Sequence, residues 1–116
     1  MSELTIYHNP RCSKSRYALE YIRAKGIEPT IVEYLKDVPS EEELKKLLAK
    51  LGMKAEDLLR KNEAVFKKKF KGLEFNEDEW ITVMIEEPKL IERPIVIKGN
   101  KAVVGRPLEN VMDLID

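Results

Sequence analysis

Two β-like runs flank a single amphipathic helix at the start of the chain, and this arrangement leaves few ways to fold the remainder. Residues 4–7 (Leu-Thr-Ile-Tyr) and 29–35 (Pro-Thr-Ile-Val-Glu-Tyr-Leu) are rich in β-branched and aromatic side chains. Between them, residues 13–25 carry Ala18, Leu19, Tyr21 and Ile22 at the spacing of one buried helical face, and Gly26 supplies a stop. A crossover this short predicts a right-handed βαβ unit with its two strands parallel.

The rest of the chain extends that unit. A capping box of Ser40 and Glu43 opens a helix whose Leu44, Leu47, Leu48 and Leu51 form a stripe, and Gly52 ends it. A short helix is predicted around residues 55–60, then a basic stretch over 61–72 anchored by Phe66 and Phe70. Asn76 and Glu79 repeat the capping pattern before Trp80, Val83 and Met84, and Pro88 closes that helix. No strand is expected in this middle third. Residues 94–97 and 102–104 then read as a hairpin, with Gly99-Asn100 supplying the unusual backbone angles of its turn. Pro107 stands where a helix tolerates proline in its first turn, and Leu108, Val111, Met112 and Ile115 make the buried face of that helix. The predicted fold is therefore α/β and thioredoxin-like, with a mixed four-stranded sheet. Residues 1–116 form one domain, with a helical insertion at about 40–88 between the βαβ and ββα halves.

Composition removes several function classes. Among 116 residues, 21 acids balance 21 bases, so neither nucleic acid nor a membrane surface is an expected partner. No run approaches the roughly 20 apolar residues of a membrane span, and Met1-Ser2-Glu3 does not resemble a secretory leader. One cysteine allows no internal disulfide, which suits a reducing cytoplasm. One cysteine and one histidine make a Cys/His metal site improbable, so no metal and no bound cofactor are expected.

The chemistry concentrates in residues 7–16, Tyr-His-Asn-Pro-Arg-Cys-Ser-Lys-Ser-Arg, which hold that one cysteine, that one histidine and three cations. Cys12 falls at a strand-to-helix turn, where unpaired amides and the helix dipole favour a thiolate. Arg11, Lys14 and Arg16 are expected to add to the effect. A lone cysteine is otherwise a small buried apolar residue, but these surroundings favour a nucleophile. His8, on its own, is either a ligand of this chemistry or a hydrogen-bonded residue at a strand end. The cysteine-based phosphatase loop needs five residues between Cys and Arg, whereas three separate Cys12 from Arg16.

With the element order and the cysteine loop taken together, the chain resembles the glutaredoxin-dependent arsenate reductase family, the ArsC-like proteins, over almost its full length. The resemblance rests on residues 8–16, on Leu58-Leu59-Arg60-Lys61-Asn62, on Glu92-Arg93-Pro94-Ile95-Val96 and on Gly105-Arg106-Pro107. It implies that Cys12 attacks the arsenic of arsenate and that Arg60, Arg93 and Arg106 hold the oxyanion. It also implies that His8 helps keep Cys12 ionised and that Pro94 forms a cis bond beside the sulfur. Guanidinium forks suit such a tetrahedral anion. Ser15 stands where a dithiol enzyme of this fold keeps its resolving cysteine, so an outside thiol must attack the arsenylated cysteine. The family's reductants are glutathione and glutaredoxin. Ser15 and Arg16 count as supporting residues, and a monomer is expected. Two alternatives stay open: the same site with another oxyanion or a glutathione mixed disulfide as substrate, or a regulator of this fold that binds RNA polymerase.

Overall fold

The computed structural model describes residues 3–116; Met1 and Ser2, which entered the reading of the N-terminus, lie outside the described residues. In chain order the elements are β1 (Leu4–Tyr7), α1 (Ser13–Ala24), β2 (Thr30–Val32), α2 (Glu41–Leu51), a 3-10 turn (Ala55–Leu58), α3 (Ala64–Lys69), α4 (Glu77–Glu86), a second 3-10 turn (Pro88–Leu90), β3 (Ile95–Lys98), β4 (Lys101–Val104) and α5 (Glu109–Ile115). They form two compact units, one from residues up to Asp37 together with Arg93–Asp116, the other from Val38–Glu92.

The first unit holds a four-stranded sheet in the order β2-β1-β3-β4. β1 runs parallel to β2, pairing Ile6 with Ile31, and antiparallel to β3, pairing Ile6 with Val96. β3 and β4 form the predicted antiparallel hairpin. The mixed sheet is therefore the one read from the element order. Because side chains alternate across a strand, Leu4 and Ile6 turn to the same face. There they join Val96, Ala18, Leu19 and Ile22 of α1 and Val111 of α5 in one core. Ile6, Ile22, Val96 and Val111 are completely buried, each burial worth about 1.5–3 kcal/mol against exposure.

Within this unit the structure differs from expectation at the end of β2, at the hairpin turn and at the start of α5. β2 stops at Val32 rather than continuing to Leu35. The His8 amide donates to the Val32 carbonyl at 2.9 Å, and β1 ends there, so Glu33 has no neighbour to pair with. The chain instead turns, with Lys36 and Asp37 donating to the Glu33 carbonyl, and Tyr34 stacks on Tyr7 at 6.3 Å. At the hairpin only Gly99 takes a positive φ (60°), the pattern of a turn with glycine at its first central position. α5 starts at Glu109, not Pro107: Asn110 Nδ2 donates to the Val104 and Arg106 carbonyls and holds the intervening residues as a turn.

The second unit is helical, as the sequence indicated. α2 and α4 each open with a complete capping box, Ser40 with Glu43 and Asn76 with Glu79. Gly52 closes α2 in the left-handed conformation at φ 68°. The Glu77 carboxylate accepts the Ala55 amide at 2.9 and 3.1 Å, tying α4 to the first 3-10 turn. Phe66, Phe70, Phe75 and Trp80 pack with ring centroids 4.9–6.5 Å apart. The helix expected over 55–60 is a single 3-10 turn to Leu58. Leu59 then makes an unforeseen antiparallel bridge with Ile91, flanked by bonds from the Glu92 amide to Leu58 and from the Arg60 amide to Leu90. Among the described residues no helix is long and apolar enough to cross a membrane.

Candidate active site

The loop between β1 and α1 is shaped by its own hydrogen bonds. The Cys12 amide donates to the Asn9 carbonyl at 3.0 Å, and the Asn9 side chain accepts the Arg11 amide at 3.0 Å. Arg16 donates its amide to the Cys12 carbonyl and its guanidinium to the Pro10 carbonyl, closing the loop from the helix side. Cys12 is thereby fixed as the N-cap of α1, with extended backbone (φ −98°, ψ 122°). A cap position normally carries an oxygen that accepts the free amides. Here it carries a partly exposed thiol.

The thiol makes no formal cap hydrogen bond, yet several groups bear on it. Burial alone pushes its pKa up. The Ser15 amide, the Arg106 guanidinium, the charge of Arg93 and the Lys14 amide outweigh that, and the net shift is below the ordinary thiol value. Arg106 Nη2 lies 3.5 Å from Cys12 Sγ. The cations acting on the sulfur thus come from the far end of the chain. Arg11, Lys14 and Arg16, its sequence neighbours, were expected to ionise it. Arg16 engages Pro10, and Lys14 contributes through its backbone.

Behind the sulfur sits a buried polar set. Ser15 is fully buried, and its Oγ accepts the Asn9 amide at 3.0 Å and lies 2.6 Å from His8 Nδ1. Burial, the largest influence, lowers the His8 pKa; Glu33 opposes it, while Arg23 and Arg16 reinforce it. The net effect disfavours the charged imidazolium.

Arg93 and Arg106 are positioned by two interlocked Arg-Pro turns, whose Arg93-Pro94 and Arg106-Pro107 peptides are both cis. The cis bond at Pro94 is the one the resemblance implied; that at Pro107 was not foreseen. Arg106 Nε donates to the Arg93 carbonyl at 3.0 Å, and the Gly105 amide donates to the Pro94 carbonyl at 2.8 Å. A Cβ at Gly105 would lie 2.9 Å from Pro94 Cγ and 3.0 Å from Val111 Cγ2, so only glycine allows this approach. Gly105 went unassigned in the sequence, although a glycine directly before an Arg-Pro pair hinted at a close backbone contact.

Cys12, His8, Ser15, Arg16, Arg93, Pro94 and Arg106 all belong to the first unit, whereas Arg60 belongs to the second. There its guanidinium donates to the Lys89 carbonyl at 3.1 Å and pairs with Glu63 at 2.9 Å and Glu92 at 3.9 Å. Among the described residues no group of three or more His, Cys, Asp or Glu could hold a metal ion.

Comparison with known proteins adds three findings. The ArsC family model matches residues 7–114. Arsenate reductases of Acidiphilium multivorum and Escherichia coli are each 45% identical over 118 residues, covering 99% of this chain and 82% of theirs. A solved arsenate reductase structure from Vibrio cholerae superposes with a TM-score of 0.93 at 40% identity, covering 98% of each chain.

Proposed function

The chain belongs to the ArsC family, and from that premise we propose that it is an arsenate reductase using Cys12 as its nucleophile and outside thiols as its reductants. One observation carries the reading: a thiol of lowered pKa at the start of α1, with the Arg106 guanidinium 3.5 Å from its sulfur and Arg93 adding charge.

Arsenate at neutral pH is a tetrahedral dianion or monoanion, so it seeks the cations that also favour the thiolate. In this reading Arg93 and Arg106 grip its oxygens, and the first amides of α1 share the charge. Arg60, by its match to the family motif, is a further candidate for the oxyanion. His8, whose charged form is disfavoured by burial, braces Ser15, whose amide faces the thiol. Cys12 attacks arsenic, an As–S bond forms, and one oxygen leaves as water. A first outside thiol replaces a second oxygen on arsenic, again releasing water. A second thiol then attacks the sulfur of the first: an S–S bond forms, the As–S bond to that sulfur breaks, and its electron pair reduces As(V) to As(III). Water takes the place of Cys12 on arsenic, freeing arsenite and the thiolate. The sum consumes one arsenate and two thiols and yields arsenite, one disulfide and one water.

Glutathione and glutaredoxin are the proposed thiols, with a monomeric enzyme in the cytoplasm, where both reductants are kept reduced. Neither nucleic acid nor a membrane takes part. Steady-state reduction of arsenate with glutathione and glutaredoxin tests the proposal. Turnover above the level of Cys12→Ser is expected, and a rate equal to that variant's would reject arsenate as the substrate.

A further inference from the structure

The Ser15 hydroxyl has one hydrogen to give, and its surroundings decide where that hydrogen goes. Ser15 is fully buried; its Oγ accepts the Asn9 amide, lies 2.6 Å from His8 Nδ1, and has no other hydrogen-bond partner among the described residues. If Nδ1 of the uncharged ring carried the ring hydrogen, Oγ would accept twice and its own hydrogen would be buried with nothing to bond. If Nδ1 is bare, the hydroxyl donates to it and every group is satisfied. The ring hydrogen then belongs on Nε2. The edge of the ring away from Ser15 meets a groove of about 200 Å³, lined by His8 and Arg11 from the loop after β1 and by Glu33, Leu35 and Lys36 from the turn after β2. Glu33 is the one anion in that wall, and Lys36 neutralises it only loosely, at 3.8 Å with both side chains well exposed. Of the charges acting on the ring, Glu33 favours added hydrogen, while Arg16 and Arg23 of α1 oppose it. Arg11 and Lys36 complete the charged groups on the groove side.

We propose that Glu33 is a positioning residue for the Cys12 loop: across the groove it holds the His8 hydrogen on Nε2, leaving Nδ1 bare to receive the Ser15 hydroxyl. No direct hydrogen bond joins Glu33 to the ring among the described residues, so the carboxylate acts through its field and through solvent in the groove. From the ring the effect passes along bonds already described. Ser15 Oγ, held by Nδ1, accepts the Asn9 amide; the Asn9 carbonyl accepts the Cys12 amide; and the Ser15 amide faces the sulfur. The inference deepens the reading of Cys12 as the nucleophile and rests on it. Glu33 itself is not among the groups that act on the thiol, so its influence on Cys12 runs through the ring and the hydroxyl.

The test needs no arsenate, so its failure is distinct from failure of the arsenate reading. His8 is the chain's single histidine, so the imidazole nitrogens of the ¹⁵N-labelled protein report on this ring alone. In the unaltered protein, above the pH at which the ring is charged, Nδ1 should give the signal of a bare nitrogen and Nε2 that of a protonated one. Glu33→Leu, at a partly exposed position that should not endanger folding, should draw the two signals together as hydrogen returns to Nδ1. Lys36→Gln, in the same groove wall, is the control and should leave them apart. The second reading is the pH at which iodoacetamide alkylation of Cys12 reaches half its maximal rate. Deleting a carboxylate by charge alone favours a thiolate and would move that pH down or leave it, whereas loss of the brace on Ser15 should move it up in Glu33→Leu. A hydrogen on Nδ1 in the unaltered protein, nitrogen signals unmoved by Glu33→Leu, or an alkylation pH that falls or holds in that variant would each overturn the inference, even if arsenate reduction were established.

Discussion

The helix starts of the two units are built differently. α2 and α4 begin with an oxygen-bearing cap, Ser40 and Asn76, and a glutamate three residues on, so that the first amides are satisfied reciprocally. α1 begins with Cys12, has no acid in its first turn and makes no cap hydrogen bond. The capping boxes of α2 and α4 each satisfy two amides, whereas in α1 the Lys14 and Ser15 amides are left to act on a sulfur. In the helical unit the caps serve stability, and in the sheet unit the uncapped end favours a thiolate.

The comparison breaks first at Cys12. Replacing it with serine converts α1 into a helix of the other kind and should reduce arsenate turnover, measured with glutathione and glutaredoxin, to the rate without enzyme. Retained turnover would mean that the start of α1 has no catalytic role.

Next in size is Arg106→Gln. It removes the guanidinium 3.5 Å from the sulfur and its bond to the Arg93 carbonyl. The rate should fall about a hundredfold, as when one charge-stabilising donor is removed from an active site. The pH at which iodoacetamide alkylation of Cys12 reaches half its maximal rate should move up, because a group that holds the pKa down is gone. An unchanged alkylation profile would make the amides of α1 sufficient by themselves.

The caps of the other unit should behave in the opposite way. Ser40→Ala and Asn76→Ala should each lower the free energy of unfolding by about 1 kcal/mol, read from the urea midpoint, while leaving the Cys12 alkylation profile where it was. A shift in that profile would show that the two kinds of helix start are coupled.

The same contrast separates the features that are legible in the amino-acid sequence from those that are not. Both capping boxes, the Leu44 to Leu48 stripe and the βαβ start are local patterns, where residues three or four apart decide the outcome, and the fold contains each of them at the expected positions. The end of β2 was misjudged because it depends on where β1 stops, and the length of a pairing partner is not written in the strand itself. The source of the charge on Cys12 was misjudged for the same reason. Sequence proximity pointed to Arg11, Lys14 and Arg16, but the charge arrives from Arg93 and Arg106, 81 and 94 positions away in the 116-residue chain. Only the family resemblance connected those arginines to the sulfur. The role of Gly105 was hidden because a close approach to Pro94 is a property of two segments at once.

The smallest expected effect concerns the stability of α1 itself. Serine is among the best N-cap residues, so Cys12→Ser should stabilise the fold by a few tenths of a kcal/mol near pH 6, where the thiol of the unfolded chain is protonated. The advantage should then shrink as the pH rises. Cys12 has a lower pKa folded than unfolded. Between those two values the unfolded chain holds a proton that the folded chain has released, so the stability of the unaltered protein climbs with pH through that window. The gain is complete above the unfolded thiol's pKa of about 8.5. Serine does not titrate there and gains nothing. Urea midpoints of the two proteins from pH 6 to 9 should therefore converge, and curves that run parallel throughout would mean that the amides of α1 and the two arginines favour the thiolate no more than water does.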